Sequence, residues 1–292
     1  MRRFFFSFLL IVIISILSSC KSKEVMIPSY VYLSPGQLIT KSDGTQGYSS
    51  AKIEDFYLFS NGETRGVMSV NSRVPLQNIG KTTLKISPGI KFNGLAEQRA
   101  IYPLFNYYSK DFNLSENKVD TIKPVFTYVE NALFPFIEDF DGSGINLEYS
   151  TQFKSNGDTL VKDNSSSSWI PGKNSGKITL NSTNPQDILM MYSKVYSSWP
   201  RFTPFFLEMD YKGNIPITVG LITTEISTGT VKFKTLYITN PKSDWNKLYL
   251  DLETEINTAG TNMQFRLFFS FAKAGVTNPE AWLDNLKVIY LD

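Results

Sequence analysis

Among its 292 residues the chain has no histidine and a single cysteine, Cys20. Ser–His and Cys–His nucleophile pairs are excluded on that ground, as are zinc sites built on imidazole. What remains is carboxylate chemistry, either paired acids for glycoside hydrolysis or hard-cation binding through oxygen, together with ligand stacking on aromatic rings. Glu208, Asp210 and Glu225 could be put forward as a carboxylate pair. A glycosidase needs two carboxyls about 5 to 10 Å apart in a cleft, one with a raised pKa, and nothing in their spacing favours these three over other acids. The chain therefore reads as a non-enzyme.

The aromatic option has a clearer local signature. Tyr192, Tyr196, Trp199 and Arg201 fall in or beside a Ser/Pro-rich stretch, 193–204. Sugars stack on flat rings, with polar groups beside them reading the hydroxyls, so this stretch is a candidate sugar platform. The competing reading is that aromatic residues of a β-sandwich hide large apolar areas in the core. Trp245 and Trp282 lie at strand starts and read as packing residues, and Trp169, beside Pro171-Gly172, as a loop staple.

The N-terminal segment has a pattern of its own. Arg2 and Arg3 precede an apolar run, residues 4–17, broken only by Ser7 and Ser15. This is the architecture of a secretory signal peptide, residues 1–19, and the run is short for a membrane span. The segment Leu17-Ser18-Ser19-Cys20 closely resembles the lipobox of bacterial lipoproteins. The resemblance implies that Cys20 is acylated, becomes the mature N-terminus and anchors the chain, with residues 20–28 as a lipidated tether. A lone thiol in an exported protein calls for an explanation, and several acyl chains on one residue hold a protein firmly to a bilayer. Ser22, rather than Asp, stands two residues after the cysteine, which by resemblance to Gram-negative sorting favours the outer membrane. The segment Lys21-Ser22-Lys23-Glu24 has one acid, where the surface-export tags of some Bacteroidota lipoproteins carry a cluster. The leader, the low alanine content and the aromatic style resemble Bacteroidota lipoproteins.

With Arg2 and Arg3 in the leader, the mature chain keeps 27 cations against 27 anions. A neutral chain without a basic block is not a nucleic-acid binder, because phosphate neutralisation dominates that affinity. Phe, Tyr and Trp are abundant beside Thr, Ser, Asn and Gly, which favours strands and turns. The reading is all-β: an N-terminal β-sandwich over 29–128, a linker over 129–136 and a C-terminal jelly-roll β-sandwich over 137–292.

In the first unit, segments 51–59 and 64–70 flank Asn61-Gly62, a strong hairpin signal because both residues tolerate positive φ. Thr82, Leu84 and Ile86 alternate with Lys81, Thr83 and Lys85, as in a strand with one wet face. Further strands are predicted over 100–108 and 120–128. Asn61-Gly62, Arg73-Val74-Pro75-Leu76 and Gly80-Lys81-Thr82 resemble small surface-layer-type β-domains, which implies a spacer or docking role. In the second unit the expected strands are 176–180, 188–195, 205–211, 217–224, 231–238, 248–252, 263–271 and 282–291, a count that suits a jelly roll.

Glu138-Asp139-Phe140, Asp244-Trp245 with Leu248-Tyr249-Leu250-Asp251-Leu252, and Ala281-Trp282-Leu283-Asp284-Asn285-Leu286-Lys287-Val288 resemble the galactose-binding-like jelly rolls, which include many carbohydrate-binding modules. That fold hosts sugar binding, protein binding and scaffolding alike. The resemblance implies that the first and last strands of the unit pair, bringing Glu138, Asp139 or Asp141 near Asp284. Converging acids would suit a structural calcium ion; the alternative is a solvated acidic edge. The whole reading is an outer-membrane lipoprotein with a non-catalytic role, recognising a glycan through its jelly roll. The alternative is an accessory or structural subunit that binds another cell-envelope protein.

Overall fold

A computed structural model describes residues 26–292. The leader and Cys20 lie outside the described residues. The N-terminal unit contains β1 (Ser29–Leu33), β2 (Gln37–Leu38), β3 (Asp55–Ser60), β4 (Glu63–Ser69), β5 (Ser72–Leu76), β6 (Gly80–Lys91), β7 (Arg99–Ile101), β8 (Tyr108–Leu114), β9 (Val119–Ile122) and β10 (Val125–Phe126). One sheet runs β4-β3-β6-β7 with β8 also on β6, and a second runs β5-β1-β9. Phe56, Leu58, Leu84 and Ile86 from the first sheet meet Val31, Leu33, Val74 and Ile122 from the second in a common core. The β3–β4 turn has Asn61 and Gly62 at φ 50° and 84°, the doubly left-handed geometry that favours Asn-Gly in a two-residue hairpin.

The C-terminal unit contains β11 (Ala132–Glu138), β12 (Glu148–Tyr149), β13 (Thr159–Asp163), β14 (Ser175–Thr179), β15 (Ile188–Tyr192), β16 (Phe205–Gly213), β17 (Ile217–Glu225), β18 (Val231–Ile238), β19 (Lys242–Asp251), a short helix α1 (Glu253–Ala259), β20 (Met263–Ala272) and β21 (Glu280–Leu291). One sheet has the order β13-β14-β21-β16-β19, with β11 also on β21, and the other has the order β12-β15-β20-β17-β18. Leu207, Met209, Leu250, Leu283 and Val288 face Leu221, Leu267, Phe269 and Phe271 across the gap. The all-β class and the two-sandwich plan hold. No helix among the described residues is long and apolar enough to cross a membrane.

Three details differ from the sequence reading. The supposed linker over 129–136 is mostly strand: β11 begins at Ala132 and pairs antiparallel with β21. Pro135 hid it, since a proline breaks the ladder and is tolerated only at an edge or bulge, and the register does shift between Leu133 and Phe136. The segment 100–108 is largely irregular, with strand only at β7 and at Tyr108. The segment 120–128 divides into β9 and β10.

The N-terminal unit is more than a spacer. On β16 the side chains of Phe205, Leu207, Met209 and Tyr211 point into the sandwich core. By the period of two, Phe206, Glu208, Asp210 and Lys212 face outward. The outward face is partly covered. Phe206, Tyr249 and Ile289 form a third core with Leu38, Ile90, Tyr102, Phe105 and Tyr128 of the N-terminal unit. The loop between β2 and β3 also lies on this face, and Tyr48 O accepts a 2.6 Å hydrogen bond from Lys287 Nζ.

Candidate binding surface

The carboxylates proposed for calcium do sit on paired strands, since Glu138 lies opposite Leu286 of β21. They do not converge as ligands. Glu138 accepts from the backbone N–H of Phe140 at 2.7 Å and from that of Asn146. Asp139 accepts from Asp141 N–H at 3.2 Å. Asp141 accepts from Tyr48 Oη at 2.5 Å and Asn174 N at 2.9 Å. Asp284 accepts from Ser175 Oγ at 2.5 Å and from Asn285 N at 2.6 Å. Each carboxylate ties down a turn or a neighbouring strand through N–H and O–H donors. Among the described residues no group of three or more Asp, Glu or Cys is placed to hold a metal ion. In this arrangement Glu138, Asp139, Asp141 and Asp284 serve as hydrogen-bond acceptors within the fold.

The predicted sugar platform is also redistributed. The Trp199 ring stacks on Phe265 at 5.0 Å and 12°, with Phe205 at 4.8 Å and Tyr196 at 5.1 Å. Trp199 and Tyr196 belong to the sandwich core, so neither ring offers a face to a ligand. Arg201 donates to Asn257 O of α1 at 2.6 Å. Tyr192 lies on the outer face of the other sheet, with the Arg266 guanidinium 4.6 Å over its ring. The four residues form no single surface, because the Ser/Pro-rich stretch folds inward to cap one end of the core.

Glu208 and Asp210 are adjacent on the outward face of β16 but sealed beneath the N-terminal unit. Glu208 accepts from Tyr102 Oη at 2.8 Å and Tyr128 Oη at 3.0 Å, and lies 3.1 Å from Lys247 Nζ. Asp210 accepts from Asn285 Nδ2 at 2.8 Å and from the Ser50 hydroxyl. Burial raises the Asp210 carboxyl above its usual range, against the pull of Lys247. Burial lowers Lys247 in turn, but the carboxylates of Asp210 and Glu208 more than reverse that and leave it raised. Both carboxylates are buried, and their oxygens are taken up by these hydrogen bonds and by Lys247. Glu225 lies on the opposite sheet, where Thr228 and Ser227 hydroxyls hold its carboxyl below the usual value.

The part of this outward face that the N-terminal unit leaves open carries a row of alternating cations and indoles. Lys177 of β14 is opposite Trp282 of β21, and Trp282 is opposite Lys212 of β16. The Lys177 ammonium lies 5.1 Å from the Trp282 ring centroid, and that of Lys212 lies 4.9 Å from Trp282 and 5.3 Å from Trp245. Both indoles are partly exposed. Their orientation is fixed from behind: Trp282 Nε1 donates to Asp163 Oδ2 at 2.8 Å and Trp245 Nε1 to Ser167 O at 3.2 Å. A cleft of about 520 Å³ opens here, lined by Trp282, Lys212, Asn214, Lys242, Ser243 and Glu280 among others. Rigid rings flanked by amide, hydroxyl and ammonium groups are the elements with which a protein holds a polar, ring-shaped ligand. The places of Trp245 and Trp282 at strand starts suggest packing roles, and the structure leaves both partly exposed instead. Alternation along β19 puts Trp245 on the side of Lys247, whereas the register that brings Trp282 beside Lys212 depends on a pairing of strands distant in sequence.

No family model matches the chain, and no curated protein matches it. Solved structures do. One, described by the structural basis for promiscuous specificity of carbohydrate-binding modules from the β-sandwich superfamily, is 11% identical, with a TM-score of 0.40, covering 83% of this chain and 87% of that one. The CBM22-1 xylan-binding domain of Paenibacillus barcinonensis Xyn10C is 10% identical, with a TM-score of 0.40, covering 56% of this chain and 98% of that domain. A CBM29-2 mutant complexed with cellulohexaose is 14% identical, with a TM-score of 0.34, covering 55% and 93%. At these identities and scores the similarity extends no further than a β-sandwich architecture.

Proposed function

We propose that this protein is a lipid-anchored, non-catalytic glycan-recognition protein of the bacterial outer membrane. One observation carries the reading: the Trp282–Lys212–Trp245 row on the sheet face, both indoles partly exposed, with Trp282 and Lys212 lining an open cleft. Sugar rings present an apolar C–H face and a rim of hydroxyls. Indole faces complement the first, and Asn214, Ser243 and the lysines complement the second. The scaffold orders these groups before binding, so little side-chain entropy is lost on association. The anchor rests on the resemblance of Leu17-Ser18-Ser19-Cys20 to a lipobox. A glycan array probed with residues 21–292 tests the binding role. Specific retention that disappears in Trp282→Ala supports it, and a blank array with folded protein counts against it.

A second reading has its own observation. β18 is the edge of its sheet, and Val231, Phe233 and Ile238 along it are 51%, 57% and 57% exposed. An apolar edge strand is a template for pairing with another chain, which suits an accessory subunit docked to another envelope protein.

A further inference from the structure

The sheet β5-β1-β9 of the N-terminal unit buries one face and leaves the other open. Val31, Leu33, Val74 and Ile122 point into the core, so by the period of two Tyr30, Pro75 and Val119 face outward. The register sets them in a row, with Tyr30 opposite Pro75 on one side and Val119 on the other. Val119 is 47% exposed, and the Arg73 guanidinium lies 3.7 Å over the Tyr30 ring.

The chain enters this sheet at the same end. Met26 and Ile27, 63% and 50% exposed, lead into β1. Pro28 O accepts from Asn117 N–H at 2.9 Å, and Ser29 Oγ donates to Asn78 O at 2.9 Å. The entering segment is thus bonded on one side to the β8–β9 turn, just before Val119. On the other side it is bonded to the β5–β6 turn, which carries Ile79, 46% exposed. Met26, Ile27, Ile79 and Val119 therefore share one end of the unit, the end at which the tether joins it. The charges there nearly balance. Arg73 and Lys118 stand against Glu116 and Asp120, and the tether adds Lys21 and Lys23 against Glu24. Lys81 lies 3.6 Å from Asp111, and Arg65 lies 2.9 Å from Glu63.

We infer that this end of the N-terminal unit docks on the lipid bilayer, with Met26, Ile27, Ile79 and Val119 seated at the boundary between headgroups and acyl chains. The inference rests on the lipid-anchor reading and adds a second membrane contact to it. An exposed apolar cluster marks an interaction surface, and the tether says which partner is in reach. Met26 stands six positions after Cys20. An extended chain spans at most ~3.6 Å per residue, so the anchor holds the patch within about 20 Å of the membrane. Tethering at that range makes even a weak contact effectively intramolecular. With the charges nearly balanced, the attraction comes from apolar burial rather than from anionic lipid. Tyr30, beside Val119, suits the headgroup level, where amphipathic rings collect. The N-terminal unit then lies against the membrane instead of swinging on its tether.

The test places the full-length acylated protein in phosphatidylethanolamine–phosphatidylglycerol vesicles with brominated acyl chains. Cys20 is the sole cysteine, and acylation consumes its thiol. Val119→Cys therefore supplies one free thiol for a fluorescent label, and Val231→Cys on β18 supplies a control. Bromine should quench the label at position 119 at least about threefold more than that at 231, because only the former reaches the acyl boundary. The double variant Ile27→Glu/Ile79→Glu should abolish the difference while the protein still floats with the vesicles. Equal quenching at both positions overturns the inference and leaves the anchor reading standing. Quenching at 119 that the double variant leaves intact also overturns it. A protein that fails to float, with Cys20 unmodified by mass, removes both.

Discussion

Lys247 Nζ lies 3.1 Å from Glu208 Oε2, and the two side chains are 2% and 0% exposed. This ion pair stands on the outer face of a β-sheet, where solvent would ordinarily reach it. The N-terminal unit seals it, and Tyr102 and Tyr128 of that unit donate their hydroxyls to the same carboxylate. The two halves of the chain are therefore joined through a polar network as well as an apolar one.

Breaking a buried pair by removing one partner leaves an uncompensated charge and costs about 3–5 kcal/mol. Glu208→Ala and Lys247→Ala should each lose stability on that scale in urea titrations. The double variant Glu208→Leu/Lys247→Leu should be less destabilised than the sum of the singles, because no charge is left stranded. Calorimetry of the wild type should show one cooperative transition. Two well-separated transitions would mean that the network does not couple the halves.

The pH dependence has a defined sign. Burial raises the Asp284 carboxyl from 3.8 to about 7, against the hydrogen bonds from Ser175 and Asn285. Between those values the folded chain binds a proton that the unfolded chain releases, so stability falls as pH rises from about 4 to about 7, by at most ~4 kcal/mol. Burial, and then the neighbouring Lys247, lowers Lys287 from 10.5 to about 8. Over that range the unfolded chain binds the extra proton, so this group adds stability as pH climbs from about 8. The two contributions together place a shallow stability minimum near pH 7 to 8. Asp284→Asn should flatten the acid limb and Lys287→Met the alkaline one in denaturation series across pH. Unchanged limbs in both variants would show that neither group titrates as described.

Trp199 and Trp282 should separate stability from binding. Trp199→Ala opens a cavity in the core and should cost about 3–5 kcal/mol. Trp282→Ala, at a partly exposed position with one side-chain hydrogen bond, should cost about 1 kcal/mol while abolishing retention by the glycan. The reverse pattern, with binding lost at Trp199 in folded protein, would return the platform to the 193–204 stretch.

In the proposed reading, Cys20 carries the localisation. Cys20→Ser should leave the leader uncleaved at this position and release any processed protein into the soluble fraction, because acyl chains supply the membrane affinity. A serine variant that is still processed and still sediments with outer membranes would refute lipidation.

The strands were largely legible because their signals are local. Alternation at Thr82, Leu84 and Ile86, and Asn61-Gly62 between two apolar runs, need only neighbouring residues to be read. The pairing of β11 with β21 followed from a fold resemblance. The rest depended on contacts distant in sequence. Alternation along β16 places Glu208 and Lys212 on one face, but only packing shows that Tyr102 and Tyr128 cover the first while the second stays open. Trp199, in a Ser/Pro-rich stretch with loop composition, is drawn inward by Phe265, more than sixty positions away. Trp245 and Trp282 become a row only because β16 lies between β19 and β21.

The most direct test of the central claim is oxidative footprinting of aromatic side chains, with and without a polysaccharide that retains the protein. Protection of Trp245 and Trp282, with Tyr192 and Phe233 on the opposite sheet unchanged, is the expected result. Protection confined to Tyr192 and Phe233, with both indoles still reactive, would contradict the assignment and move the binding surface to the other face of the sandwich.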